Sequence, residues 1–404
     1  MILSMAWRNI WRHKARSLVI MVSIALGLFA GIAVLSLYEG MMISRIRTVI
    51  DEETGHIQIH HPKFSDENES KYLIDNIENI LKKISGIPEI IEINKRILAN
   101  GMLSTPNGTA GVQTIGIDTN TEFSFSSLKL KIKDGNGFKP NKKYQAIIGK
   151  KLAQKMKLEI GSKFVLMFND TSNNLVSSSY RVASIYQSTN APLDERIIYV
   201  SNYELSDLLG LKGQVHEIGL KLRNDDDVTA TTVKLKQLLP QLKIESWKEI
   251  SPETEFMAKT VDTYSYIIMI IIMIALAFGI LNTMHMAIMD RSREIGMIAA
   301  LGTNKFKIFL LILLETIFLT MGGVPFGIIL GLSTTFYFNK HGLDLSGMGE
   351  DLMSNFGFKT VIYPEFPLEK LIPLLLIVII TALLSSLLPA IKAINMKPID
   401  ALKN

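Results

Sequence analysis

Four long apolar blocks, separated by polar segments of very unequal length, set the plan of this chain: Leu18–Tyr38, Tyr264–Met289, Ile308–Phe338 and Leu371–Ile391. Each holds the roughly 20 residues that a helix needs to cross a bilayer. Thr263–Met289 carries no formal charge, and Ile308–Phe338 carries only Glu315. The expected fold class is membrane α-helical, with four transmembrane helices and a large α+β extracytoplasmic domain inserted between the first and second. The predicted segments are an interfacial N-terminal helix over 1–17, spans over 18–38, 264–289, 308–338 and 371–391, the inserted domain over 39–263, a short connector over 290–307, an outer loop over 339–370 and a tail over 392–404.

Inside the inserted domain the hydrophobic period switches between two and about 3.6 residues, as strands and helices require. Gly55–His60 alternates. Leu73, Ile77, Ile80, Leu81 and Ile84 then share a helical face, and Glu89–Asn94 alternates again. The same order returns over His216–Leu222, Asp226–Leu239 and Leu242–Trp247. Two βαβ-like units, about 50–120 and 211–250, therefore flank an insert over about 121–210. That insert is strand-rich, with Ala146–Ile148, Lys163–Phe168, Tyr180–Tyr186 and Ile197–Val200 separated by turn pairs such as Asp134-Gly135.

Charge orients the spans. Arg8, Arg12, Lys14 and Arg16 precede the first, Arg291, Arg293, Lys305 and Lys307 fill the short connector, and Lys392, Lys397 and Lys403 follow the last. By the positive-inside rule all three segments are expected on the cytoplasmic side, which places the large domain outside and both termini within. This bias also accounts for the net charge of +5, so nucleic acid is not an expected partner. Trp7 and Trp11 lie one turn apart beside Arg8 and Arg12, a pattern suited to a helix in the headgroup region. The first apolar block exceeds the about 7–15 residues of a signal-peptide core, and is expected to remain as an anchor.

Small residues recur every fourth position at Ser23, Gly27 and Gly31, and again at Gly323, Gly327 and Gly331, which predicts two stripes where another helix approaches closely. In the second span Met269, Ile270, Met273, Ile274 and Phe278 are expected to form an adaptable lateral seam. Glu315 is costly inside a span and needs a polar partner. Asn282 and His285 lie at a comparable depth on the preceding span and are the expected ones.

The connector between the second and third spans is the most distinctive stretch. Ile295, Ile298 and Leu301 follow helical spacing, Arg291, Arg293 and Glu294 cluster at its start, and Gly302 sits where a C-cap belongs. A short apolar stripe of this kind must bury against a neighbouring helix or a partner protein, and a cytoplasmic partner is the expectation. The run Arg291, Glu294, Ile295, Gly296, Ala299, Leu301 and Gly302 resembles the coupling-helix signature of the MacB/FtsX-type ABC transporter permeases. Gly149, Leu152, Ala153, Leu158 and Gly161 resemble that family's outer-domain pattern, and Pro389, Ala390, Lys392, Ala393, Pro398, Ala401 and Leu402 its C-terminal one. The long Gly-rich segment Asn339–Lys370 departs from it.

The resemblance implies a non-catalytic permease, closest in layout to the LolC/LolE lipoprotein-releasing subunits, located in the inner membrane. Its implied partners are a cytoplasmic ABC ATPase, a second permease subunit identical or homologous to it, a periplasmic carrier or adaptor, and a lipid or lipoprotein substrate. MacB-like efflux, FtsX-like activation of a cell-wall hydrolase, and a ligand-sensing membrane receptor are the alternatives. The chain has no G-x-x-x-x-G-K-[ST] loop, so no cofactor is expected on it, and ATP with Mg is expected on the ATPase. There are no cysteines, which excludes thiolate zinc sites. His56 and His60 stand about 13 Å apart on one strand, too far to share a metal. The expected reading there is a polar strand face.

Overall fold

The computed structural model describes residues 2–395 other than 13, 68 and 141, with the side chains at 16, 299, 348, 350 and 351 also outside the description. The tail from 396 onward, including Lys397 and Lys403, lies outside the described residues. In chain order the elements used below are α1 (Ile2–Arg12), α2 (Lys14–Thr48), β1 (Ile57–His60), α3 (Ile77–Ile84), β2 (Ile90–Thr105), β3 (Gly108–Ile117), β4 (Ile132–Asp134), β5 (Gln145–Gly149), α4 (Lys150–Met156), β6 (Lys163–Asn169), β7 (Leu175–Tyr186) and β8 (Ile197–Ser201). They continue with α5 (Asn202–Leu209), β9 (Glu217–Leu222), α6 (Val228–Leu238), β10 (Lys243–Ser246), α7 (Pro252–Asp290), α8 (Ser292–Ala300), α9 (Lys305–His341), β11 (Leu343–Asp344), β12 (Val361–Ile362) and α10 (Leu371–Ile394).

The described chain divides into a helical unit (2–42, 260–344 and 361–395) and an α+β unit (43–259 and 345–360). Among the described residues four helices are long and apolar enough to cross a membrane, α2, α7, α9 and α10, the first and last each extended by a short turn. At 39 residues α7 is about 58 Å long, nearly twice the ~30 Å hydrocarbon core, so its ends project beyond the lipid.

Each glycine stripe has its own partner, and the two do not face each other. A Cβ added at Gly323 would lie 2.6 Å from the Met21 carbonyl oxygen, one at Gly327 would lie 2.8 Å from that of Ala25, and one at Gly331 would lie 2.8 Å from Ile32. α9 therefore meets the α2 backbone at Gly323 and Gly327 and the Ile32 side chain at Gly331. Gly27 instead receives the Leu276 side chain of α7, and Gly31 sits against Ile272, Met273 and Leu374. Ser23 is half-buried, and its hydroxyl donates back to the Val19 carbonyl at 2.8 Å.

At the far end of the helical unit from the connector, Glu39 of α2 and Lys370, just before α10, are both buried and paired. The Ser265 hydroxyl of α7 donates to Glu39 at 2.7 Å, and Lys370 also reaches Asp262 at 2.8 Å. Three helices are thus tied by one buried carboxylate and one buried ammonium. The Gly-rich segment after α9 opens with a minimal hairpin, β11 against β12.

In the α+β unit, strands β10-β1-β9-β2 form an antiparallel sheet. β1-α3-β2 and β9-α6-β10 are consequently split βαβ units whose strands interleave. β1 is central, so its alternation does not leave a solvent-facing side: His56, Gln58 and His60 are all buried. The helix expected from Leu73 is shorter, because Ile74 bridges Val215 and Asn76 adopts a left-handed conformation at φ +53° before α3 begins. β2 runs far past the expected strand and serves both halves of the unit. Residues 90–96 pair with β9, residues 97–105 pair with β3, and residues 101–104 pair with β6 on the other side. Gly101 permits this, since a Cβ there would meet the Met167 carbonyl at 2.1 Å. β3 pairs with β2 and β8, which places it in the strand-rich half rather than in the flanking unit that ends near 120.

Candidate functional site

The connector is built on a sharp reversal. α7 ends at Asp290, α8 occupies Ser292–Ala300, and Gly302 at φ +85° turns the chain. The Asn304 side chain then caps α9 by accepting from the Phe306 amide at 3.0 Å. The predicted apolar stripe is divided between two faces. Ile295 is buried and Ile298 half-buried against the helical core that includes Ile10, Ile288, Ile308 and Ile312. Leu301 is 81% exposed and Met297 54% exposed. The expectation that Ile295, Ile298 and Leu301 present one docking face is thereby corrected. At 100° per residue, positions 295 and 298 turn toward the bundle, and 297 and 301, four apart, turn away from it together. Arg293 is exposed, Gly296 is buried, and the Ala299 side chain lies outside the described residues.

Behind α8 lies a charge network that sequence separation concealed. The carboxylate of Glu315, 8% exposed on α9, accepts from Arg291 at 2.9 and 3.2 Å. It also accepts from the Asn9 amide of α1 at 2.6 Å. The Arg291 guanidinium reaches Glu294 at 3.3 Å as well. Glu315 thus joins α9, α1 and the start of α8 around a cavity of about 50 Å³ lined by Ile10, Ser17, Ile288, Ile295 and Leu319. Removing one member of a buried pair costs about 3–5 kcal/mol, because the remaining charge stays out of water. The expected partners of Glu315 are elsewhere. Asn282 is exposed, and the His285 ring nitrogen lies 3.4 Å from Lys392. On α7 it is Met284, Ala287 and Ile288 that face inward, and 282 and 285 are rotated off that stripe.

The seam residues separate in the same way. Met269 and Met273 are buried in the helical core, whereas Ile270, Ile274 and Phe278 are exposed on another face of α7. The five do not form one stripe. Two residues of the connector site had no motif to mark them: Met297, a hydrophobe between apolar neighbours, and Asn9, whose only sequence signal is a polar side chain wedged between Ala6 and Ile10 on the buried face of α1.

The α+β unit offers a second polar concavity, about 500 Å³, lined among others by Gln58, His60, Arg96, Lys131, Tyr199 and Glu217. Its charges are already satisfied internally. Arg96 binds Glu122 through two nitrogens at 2.6 and 2.9 Å and Glu217 at 3.0 Å. Burial opposes the Glu122 charge, but the Arg96 guanidinium overcomes it and holds the carboxyl below its usual range. Burial, opposed in part by the hydrogen bonds from Ser188, pushes Asp194 up to about 6, and burial, opposed in part by the Ser70 carbonyl, pushes His216 down to about 4. A network this saturated sets the shape of the unit. Among the described residues no group of three or more acidic, histidine or cysteine side chains is placed to hold a metal.

Comparison with known proteins places both halves. Residues 17–238 match the model of the MacB-like periplasmic core domain, and residues 266–398 match the FtsX-like permease C-terminal model. An uncharacterized ABC transporter permease of Methanocaldococcus jannaschii is 22% identical over 100% of this chain and 97% of its own length. The lipoprotein-releasing system transmembrane protein LolE of Haemophilus influenzae is 23% identical, with 95% and 93% covered. The macrolide export ATP-binding/permease protein MacB of Campylobacter jejuni is 22% identical over 84% of this chain, which spans 54% of that longer protein.

Proposed function

This chain belongs to the MacB/FtsX/LolC family of ABC transporter permeases, and from that premise we propose that it converts ATP hydrolysis by a separate cytoplasmic ATPase into motion of its extracytoplasmic domain. It is a multi-pass membrane protein with a large extracytoplasmic domain. The observation that carries the mechanism is the Arg291–Glu315–Asn9 network beside the end of α7. The exposed Met297 and Leu301, with Arg293 beside them, form the surface on which the ATPase bears, and the network holds α8 rigidly enough to receive the load. α7 is uninterrupted from Pro252 to Asp290, so displacement at its connector end is carried along a single rod into the chain of the outer domain. The chain itself is a non-catalytic subunit that acts with a second permease subunit, with both termini on the ATPase side.

The substrate class we propose is a lipid-anchored protein or a lipid withdrawn from the membrane. Supporting this reading, similarity to the lipoprotein-releasing LolE covers nearly the whole of both chains, whereas MacB is matched over about half of its length. Withdrawing one acyl chain of about 15 methylenes, at about 0.8 kcal/mol each, takes on the order of 12 kcal/mol, a task that needs a motor. The test is to purify the chain from native membranes and identify its companions. Co-purifying ATPase and acylated lipoprotein support the reading. An outer-membrane duct would assign it to efflux, and a cell-wall hydrolase to activation.

A further inference from the structure

α1 has one face that the helical unit covers and one that it leaves open. Ala6 and Ile10 are buried, and Asn9 between them reaches Glu315. Leu3, Trp7 and Trp11 occupy successive turns on another face and are 60%, 51% and 55% exposed, although the Trp7 ring also contacts Phe318 edge-on at 5.5 Å. Beside this stripe stand Arg8 and Arg12, with Lys14 just beyond; all three are exposed, and none is ion-paired among the described residues. The helix contains no acidic residue. The open stripe also leads onto the exposed side of α2, where Leu18, Val19 and Val22 begin the first span.

We propose that α1 is a binding surface for anionic phospholipid headgroups at the membrane face that bears the connector. Indole rings partition to the level where lipid meets water, and guanidinium groups beside them select phosphate-bearing, negatively charged headgroups over zwitterionic ones. Three side chains on three turns are too little surface for a stable protein interface, which needs about 800 Å² per partner. Continuity with the lipid-facing side of α2 points to the bilayer instead. Because the opposite face of the same helix donates to Glu315, occupancy by lipid stiffens α1 beneath the Arg291 pair. This consequence rests on the coupling role of α8 proposed above; the lipid site does not.

The chain carries its own probe. Of its three tryptophans, Trp7 and Trp11 lie on this stripe and Trp247 is buried in the α+β unit. The full-length protein is reconstituted into phosphatidylcholine vesicles in which an equal fraction of lipid is replaced by dibrominated phosphatidylglycerol or dibrominated phosphatidylcholine, and bromine quenching of tryptophan fluorescence is compared. The phosphatidylglycerol series is expected to quench roughly twofold more strongly at low salt, and the excess to disappear in the Arg8→Gln/Arg12→Gln variant and persist in Trp247→Phe. Equal quenching by the two lipids overturns the proposal, and so does an absence of quenching by either, which would mean that a protein covers the stripe. In the complex with its ATPase, phosphatidylglycerol should raise turnover in the native chain, and Asn9→Ala should abolish that dependence while keeping the quenching. Retained lipid dependence in Asn9→Ala overturns the link to Glu315 alone.

Discussion

The two ends of the helical unit solve the same problem with different chemistry. At the connector end, Glu315 is shared by a guanidinium and an amide that come from a short helix and a turn, α1 and the start of α8. At the far end, Glu39 is matched by the Lys370 ammonium and the Ser265 hydroxyl, and these ties fix α2 and α7, the two helices that lead by chain connection into the α+β unit, to the start of α10. The first network secures small elements able to receive a push. The second binds long rods together. Lys370 has, in addition, an exposed alternative partner in Asp262, which is 77% exposed, whereas Arg291 has a half-buried one in Glu294. Both networks therefore own a second acceptor for their cation, but only at the far end is that acceptor in water.

The largest effect should come from breaking the far end. Lys370→Met strands a buried Glu39 and should lower the stability of the detergent-solubilised protein by about 3–5 kcal/mol, with Lys370→Met/Glu39→Gln recovering most of it. Thermal unfolding of the four variants in the cycle measures this, and additive losses would show that the two groups act independently. At the connector end Glu315→Gln should cost less, about 1–3 kcal/mol, because Arg291 retains Glu294 and Asn9 retains an oxygen to bond. The same change should reduce ATP-driven turnover; unchanged assembly and turnover would remove Glu315 from the mechanism.

A sharper comparison lies within α8 itself. Ile298→Asp places a charge against the helical core and should destabilise the protein, whereas Leu301→Asp should leave thermal stability within about 0.5 kcal/mol and abolish association with the ATPase. Pull-down and thermal unfolding of the two variants side by side would contradict the divided stripe if their effects were the reverse.

The smallest expected effect concerns pH. Asp194 has its pKa raised by burial to about 6, so the folded state holds a proton that the unfolded chain releases, and stability from this group falls as pH rises from about 4 to 6. His216 has its pKa lowered by burial to about 4, so its contribution falls in the opposite direction, as pH drops from about 6.5 to 4. The two slopes oppose each other, so these two groups together should contribute a nearly flat dependence between pH 4 and 6. In the detergent-solubilised protein, Asp194→Asn should expose a rise in stability with pH over that window of about 1–2 kcal/mol. A flat profile in that variant would show that burial does not govern these groups.

The spans and the connector were legible because lipid imposes a composition on every residue of a crossing helix, and because Gly302 and the charges at 291–294 punctuate a short turn. Helix rotation was not legible to the same degree. Ile298 and Leu301 are equally apolar, and only the bundle decides which one it covers. Asn9 and Glu315 are separated by 306 positions, and nothing local to either names the other. Glu315 did announce the need for a partner, since a carboxylate at that depth demands one, but it could not say that Arg291 would fold back to supply it. In the α+β unit the interleaving of the two split units is a long-range choice, and the length of β2 depends on a close approach at Gly101 that only the facing strand reveals.

The contact of α9 with α2 through Gly323, Gly327 and Gly331 also has a genetic consequence. Every missense change at a glycine codon introduces a Cβ, so at these three positions even the mildest coding change, to alanine, drives a methyl group into Met21, Ala25 or Ile32. The joint between these helices has no neutral neighbours in sequence space: it can be lost by a single substitution at any of three places, and one substitution cannot be traded gradually for another.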